Sequence, residues 1–481
     1  MKIGMVYIVG AGPGEPDLIT VKGLRILKKA DVVLTDHLAH PHLLSYCQTH
    51  TKIIDVGKEK GNHSTTQKEI NEHMVTCAKA GKTVVRLKGG DPFIFGRLGE
   101  EMEWLTQQGI GYEVVPGVSS AIAGPGYAGI PLTHRQISRS VAFMTGTQIQ
   151  GKSAEDIPNT DTLVCLMGYH QLETLIPKLL ASPYHNSKTP IALLSKTTYP
   201  DQEALQSTLG NIIKKAKQHP LKTPVLLIIG EVVSCAKTCA WFHTTVFQKR
   251  LILCRQTGSC EHWLVPLQNE GLDVIHAPII ETQYDSHHGL TQALIKKSDL
   301  IIFTSSKGVQ YSIKALLDLG LDSRYFAKKT ILSLGPQVTT TLQENGLNAD
   351  IEATSHNQAG VIACLPTPLM GKTILYPTSN EADNTLKETA EAAGAIVYQA
   401  ILYKTTPRLC NYLNIKTDDW IVVFSPSVVA SFLVHKQWPK TCLMIALGKR
   451  TETALKKAGF SSIKTLENPK PAALIRLIKQ R

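Results

Sequence analysis

Residues 6–20 read VYIVGAGPGEPDLIT, an apolar run that breaks into Gly10, Gly12 and Gly14 with Pro13 between the last two. A glycine-rich turn after a first strand often cradles phosphate, so its chemistry separates one α/β fold from another. A dinucleotide loop needs G-x-G-x-x-G opening a helix, so that backbone N–H groups meet a pyrophosphate. Here the third glycine position is Glu15, Pro13 has no N–H to donate, and Glu15 and Asp17 repel phosphate. No Gly-Lys-Ser/Thr follows, which removes a P-loop. Two readings remain: a stiff turn that brings bare backbone close to a ligand without phosphate, or an ordinary strand-to-loop turn.

Outward from this stretch, strand and helix signals alternate to the end of the chain. Strand candidates include 6–9, 31–34, 83–87, 141–144, 162–167, 190–194 and 224–229, separated by helical patterns such as 67–80 and 98–107. The class is α/β. A break near 240–249 precedes a fresh strand at 251–254, which divides the chain into 1–245 and 250–481. The second part repeats itself. SLGPQVTTTLQENGL (333–347) aligns with ALGKRTETALKKAGF (446–460), IIFTSS (301–306) with VVFSPS (422–427), and ILCRQ (252–256) with ILYPT (374–378). Two similar α/β lobes facing one cleft are expected.

The 481 residues exceed one typical core. With 43% hydrophobic and 19% charged residues, the composition is that of a soluble globular protein, and no apolar run approaches the ~20 residues of a membrane span. The start, MKIGMVYIVGAGPGEP, does not read as a signal peptide, and the ten cysteines lack framework spacing. A cytoplasmic location with reduced thiols is expected. The net charge of +12 is spread over both halves without a Lys/Arg block or nucleic-acid motif; it fits a small anionic substrate, and an evenly solvated basic surface is the commonest case.

The most specific stretch is VVRLKGGDPFIFGRLGEE (84–101), in which a strand ends in Gly89, Gly90, Asp91 and Pro92. A second loop, VVPGVSSAIAGPGYAGIPLTHR (114–135), places Ser119 and Ser120 where a helix should begin, and Met167-Gly168 forms a third. Together GAGPGEPDLIT, ADVVLTDHL, VVRLKGGDPFIFGR, VVPGVSS and GIPLTHR resemble the uroporphyrinogen-III C-methyltransferases, tetrapyrrole methylases that use S-adenosylmethionine. The resemblance covers about 4–243 and implies two α/β subdomains. It implies donor contacts at Pro13, Gly89, Gly90, Asp91, Ile94, Ser119, Ser120 and Met167, and in the loop near Ala192 and Thr197. It also implies acid–base roles for Asp36 and Lys58, homodimerisation through this half, and methylation of uroporphyrinogen III at C-2 and C-7 to precorrin-2, the precursor of sirohaem and cobalamin. This chain departs from the family pattern at Ser119-Ser120, Thr35-Asp36, Thr145-Gly146-Thr147 and Thr197.

Residues 250–480 resemble uroporphyrinogen-III synthase through FTSSKGV, SLGPQVTTTL, ILYPTSN, VYQAILYKT, FSPSVV and ALGKRTETAL. That family closes hydroxymethylbilane into uroporphyrinogen III. The resemblance implies one lobe from about 250–282 plus 405–481 and another from 283–404. Thr304, Ser305, Ser425, Ser427 and Thr451 are the implied cleft residues, and Tyr403 is implied to help the hydroxyl leave. The acidic loop TSNEADN stands where basic residues are common, which keeps open an alternative in which this half is a non-catalytic tetrapyrrole-binding or docking module. No metal is expected. His37, His40 and His42 read as solvated loop residues, Cys235, Cys239 and His243 lack a fourth ligand, and Phe93 and Phe95 read as packing residues.

Overall fold

The computed structural model describes residues 3–57, 66–147, 157–242, 250–256, 260–355, 357–382, 384–408, 410, 413–434, 438–466 and 468–480. The first sheet is parallel. Its strands are β1 (Val6–Gly10), β2 (Val32–Thr35), β3 (Lys52–Asp55), β4 (Val84–Lys88) and β5 (Tyr112–Val115), in the order β3-β2-β4-β1-β5. Nearly every residue of β1, β2 and β4 is buried, as a parallel strand covered on both faces requires. The helix Gln67–Lys79 covers one face and opens with a capping box between Thr66 and Glu69.

The second sheet holds β6 (Val141–Thr145), β7 (Thr162–Leu166), β8 (Pro190–Ser195), β9 (Glu203–Thr208) and β10 (Val225–Ile229), ordered β6-β7-β10-β8-β9. Only β6 and β7 are parallel; the other pairs run antiparallel. The first loop docks against this sheet. Glu15 N–H donates to Thr198 Oγ1 at 3.0 Å, and Tyr127 OH donates to the Glu15 carboxylate.

The glycines of the first loop have a local cause. A Cβ on Gly10 would lie 2.6 Å from Gly117 Cα and 2.7 Å from Gly90 O. Gly12 and Gly90 form an isolated antiparallel bridge, and Gly90 sits at φ +67°. The loops after β1, β4 and β5 therefore pack backbone against backbone.

The second half forms one ten-stranded sheet. Its strands are β11 (Leu251–Gln256), β12 (Val274–Tyr284), β13 (Leu300–Phe303), β14 (Thr330–Ser333), β15 (Ile351–Glu352), β16 (Thr373–Ser379), β17 (Ile396–Pro407), β18 (Trp420–Val423), β19 (Leu443–Ala446) and β20 (Ile463–Thr465). The order is β15-β14-β13-β16-β17-β12-β11-β18-β19-β20. Read from both edges inward, the internal repeat maps strand onto strand: β13 onto β18, β14 onto β19, β16 onto β11. Each five-stranded lobe is parallel. The lobes join where residues 280–284 of β12 run antiparallel to 403–407 of β17. Only the carboxyl ends of these two long strands overlap, so both lobes turn the carboxyl ends of their strands toward the junction. No helix among the described residues is long and apolar enough to cross a membrane.

Candidate active sites

One cleft of about 610 Å³ gathers Pro13, Asp36, Gly89, Gly90, Asp91, Ile94, Ser119, Ser120, Met167 and Thr197. The volume falls within the range of about 300–1,000 Å³ usual for small-molecule sites. Each residue arrives at the end of a strand: Asp36 after β2, Gly89 to Asp91 after β4, Met167 after β7, Thr197 after β8. Ser119 is the N-cap of the helix Ser120–Tyr127, its Oγ accepting from Ala121 N–H at 3.2 Å. Ala192 is corrected. It lies inside β8, paired to Ile228 and Gln206, and is fully buried in the core beneath the loop. Lys58 lies outside the described residues.

Asp91 spends both carboxylate oxygens on backbone. Oδ1 accepts from Phe93 N–H at 2.7 Å and Oδ2 from Gly117 N–H at 3.0 Å, which ties the loop after β4 to the loop after β5. Six described non-glycine residues have positive φ, and four of them, Phe95, Arg97, Met167 and Lys196, line the cleft. Such conformations cost about 1–3 kcal/mol each and persist where the surroundings impose them. Phe93 and Phe95 are exposed rather than packed.

Beneath the cleft lies a charge cluster that the motifs did not single out. Arg86 and Lys88 on β4 and Glu101 in the helix Leu98–Gln107 are all buried. Glu101 Oε1 accepts from Lys88 Nζ at 2.9 Å, Gln67 Nε2 at 3.1 Å and Arg86 Nε at 3.3 Å. Arg86 Nη2 stands 3.7 Å from Asp36 Oδ2. Burial, then the neighbouring Arg86, lowers the pKa of Lys88, with Glu101 opposing. The signal was present in VVRLK, where two basic residues at i and i+2 share one face of a fully buried strand.

Of the histidines of HLAHPH, His37 is exposed as expected, while His40 and His42 differ. His40 and His42 are buried, and both meet the second half of the chain. His40 Nε2 contacts Asp273 Oδ1 at 3.2 Å, and His276 N–H donates to His42 Nδ1 at 3.2 Å. Burial, before any charge, lowers the His42 pKa to about 3 and the His276 pKa to about 4. No metal-binding cluster of His, Cys, Asp or Glu occurs among the described residues, and His243 lies outside them.

In the second half, Thr304 and Ser305 follow β13 and meet β16 and β17. Ser305 Oγ lies 2.9 Å from Tyr403 OH and caps the helix Ser306–Asp318; Thr304 Oγ1 lies 3.4 Å from Tyr376 OH. Burial raises the Tyr403 pKa, opposed by hydrogen bonds to Ser305 and Ser379. Ser425 and Ser427, 2.8 Å apart, follow β18, and the buried Thr451 lies in the helix after β19. No hydrogen bond among the described residues joins this set to the Tyr403 set. Lys307, which the motifs passed over, has its pKa lowered by burial and stands over the Tyr311 ring, itself 5.1 Å from Tyr403.

Comparison with known proteins divides the chain in the same order. Residues 5–213 match the family described as Tetrapyrrole (Corrin/Porphyrin) Methylases, and 262–476 match Uroporphyrinogen-III synthase HemD. A uroporphyrinogen-III C-methyltransferase of Methanocaldococcus jannaschii is 47% identical over 48% of this chain and 97% of its own length. One of Bacillus subtilis is 37% identical over 72% of each chain. A siroheme synthase of Psychrobacter cryohalolentis is 47% identical over 50% of this chain, which spans 47% of that relative.

Proposed function

We propose a function from one premise: the chain belongs to the uroporphyrinogen-III C-methyltransferase family. Its first half methylates uroporphyrinogen III at C-2 and C-7, giving precorrin-2. Its second half closes hydroxymethylbilane into uroporphyrinogen III. The observation that carries the reading is the single cleft that collects residues from six separate loops around Asp36.

S-adenosylmethionine, when bound, supplies an electrophilic methyl group. The residues present suit a ligand without phosphate: Pro13 offers no N–H, the Glu15 carboxylate is engaged by Tyr127, and the loops after β4 and β5 present backbone. In each transfer a carbon–carbon bond forms to the pyrrole, the carbon–sulfur bond breaks, and one proton must leave. Asp36 is the acceptor within reach of the cleft, held by Leu38 N–H at 3.1 Å and faced by Arg86. In the second half, burial keeps the Tyr403 phenol protonated, so it donates to the departing hydroxyl while Ser305 fixes its position. Homodimerisation through the first half rests on the family resemblance.

The test supplies the full chain with hydroxymethylbilane, with and without S-adenosylmethionine. The expected products are isomer III alone and doubly methylated precorrin-2 with the donor. Isomer I alone would replace the synthase reading with a docking module; failure to methylate supplied uroporphyrinogen III would remove the methyltransferase reading.

A further inference from the structure

The cleft around Asp36 is not built by the first half alone. Arg250, Asp273, Lys416, Asp418 and Asp419 also line it, all from the second half. We infer that the second half supplies one wall of the methyl-transfer cleft, and that Lys416 on this wall is a specificity-determining residue that receives a carboxylate of the tetrapyrrole. This rests on the methyltransferase reading above.

Three contacts fix the wall relative to the cleft. His40 takes a proton bond at Nδ1 from His42 N–H, which leaves its Nε2 to donate to Asp273. His276 N–H donates to His42 Nδ1, and Arg408 Nη2 donates to Cys47 O and Gln48 O at 3.4 Å. The stretch 40–48, which begins four residues after Asp36, is thus held by the second half at both of its ends. His40 also lies against Tyr199, another cleft residue, at 5.5 Å between ring centres.

The turn that carries Lys416 is rigid by construction. Buried Asp419 receives Lys416 N–H at 2.8 Å and pairs with Arg250 at Nε (3.0 Å) and Nη2 (2.6 Å). Arg250 Nη2 also reaches Asn414 O at 2.7 Å, and Arg250 O accepts from Trp420 N–H at 2.9 Å. Arg250 is therefore committed to structure, as Lys196 is to Asp201. Asp273 is committed to His40. Among the described residues, the Lys416 ammonium and the Asp418 carboxylate are the two charges of this wall without an ion-pair partner. Uroporphyrinogen III carries eight carboxylates and no cation, so an approaching substrate is attracted by Lys416 and repelled by Asp418.

The test uses two full-chain variants of opposite sign. Lys416→Glu should raise the KM for uroporphyrinogen III about tenfold, the size of one charged hydrogen bond, and Asp418→Asn should lower it. In both, methyl-transfer kcat should stay within twofold and calorimetric affinity for S-adenosylmethionine should not change. Lys416→Arg should restore most of the wild-type KM. Unchanged KM in Lys416→Glu overturns the inference while leaving the methyltransferase reading intact. A matching rise in both variants also overturns it, because it marks a structural disturbance of the turn. A wild-type chain that does not methylate uroporphyrinogen III overturns both.

Discussion

Glu101→Gln isolates the charge cluster beneath the cleft. Glutamine keeps the volume and one acceptor, so the hydrogen-bond geometry to Lys88, Gln67 and Arg86 can persist while the charge is lost. In the wild type two buried cations, Arg86 and Lys88, face two carboxylates, Glu101 and Asp36. The variant leaves one cation uncompensated in a site where Arg86 and Lys88 are each only 5% exposed. Removing one member of a buried pair costs about 3–5 kcal/mol. Lys88 limits the loss, because its pKa is already lowered and Glu101 is what opposes that shift. Giving up its proton at pH 7, from an ordinary lysine pKa of about 10.4, costs about 5 kcal/mol, which bounds the effect from above. The sign with pH follows. A neutral Lys88 in the folded variant means that the unfolded state binds more protons, so stability rises with pH. The deficit should then narrow by up to about 1.4 kcal/mol per pH unit between pH 7 and 10. Native-state hydrogen exchange on peptides spanning β4 reads this locally, which suits a chain of two halves that need not unfold together. A deficit under about 1 kcal/mol at pH 7, or one that widens as pH rises, would refute the reasoning.

Asp91→Asn removes a charged acceptor from one of two backbone N–H groups, a loss of about 1.5–3 kcal/mol, so S-adenosylmethionine affinity should fall about tenfold or more by calorimetry; an unchanged affinity would mean that joining these loops does not shape the donor site. Tyr403→Phe keeps the ring and removes the donor, and isomer III should form about tenfold more slowly, measured as the ratio of isomers III and I; a wild-type ratio would remove Tyr403 from the reaction. His42 and His276 have pKa values depressed to about 3 and about 4, so separated, hydrated halves bind more protons below pH 6.5. Contact between the halves is complete above that pH and should weaken by about 2 kcal/mol per histidine at pH 5, with His40, Asp273, Arg255 and Arg408 as the surrounding charges. Small-angle scattering should show expansion at pH 5 relative to pH 7.5, and an unchanged radius would count against it. Finally, unlabelled uroporphyrinogen III added to a reaction started from labelled hydroxymethylbilane should dilute the label in precorrin-2 fully; retained label would show direct transfer.

The parts legible in the sequence were those set by local chemistry. Strand signals placed β1, β4, β7, β8 and β10 to within a residue or two, because buried parallel and central strands are continuous apolar runs. The repeat in the second half became a strand-by-strand correspondence, with Gly335 and Gly448 each preceding a helix as the alignment requires. The loops that meet around Asp36 were picked out by the family resemblance of their glycine, proline and aspartate motifs, and they line one cleft. Ala192 failed because adjacency to a loop was taken for membership in it, whereas every residue of β8 from Ile191 to Ser195 is buried. His40 and His42 failed for a different reason. Nothing in HLAHPH announces that another 230 residues of chain will fold back and bury it, and a polar loop looks solvated until its partner is known.

That partner also fixes how the two candidate sites relate. Arg250, Asp273 and Asp419 immediately precede β11, β12 and β18, so the cleft around Asp36 meets the amino ends of these parallel strands. Ser425 and Ser427 follow β18, and Thr451 follows β19, at the carboxyl ends, where ligands of open α/β sheets usually bind. The junction of β12 and β17 turns the Tyr403 lobe toward those same carboxyl ends. The two sites therefore lie on opposite sides of one lobe, separated by at least the four residues of β18, about 13 Å at a strand's rise. The interior between them is filled: Ile252, Cys254, Ile421 and Val423 are fully buried in its core. A tetrapyrrole cannot pass through a packed sheet, so under the proposed assignment of the two sites a product made at one end reaches the other through solvent. Under the wall inference, fusion serves the cleft around Asp36 by supplying its wall, rather than by handing the intermediate across.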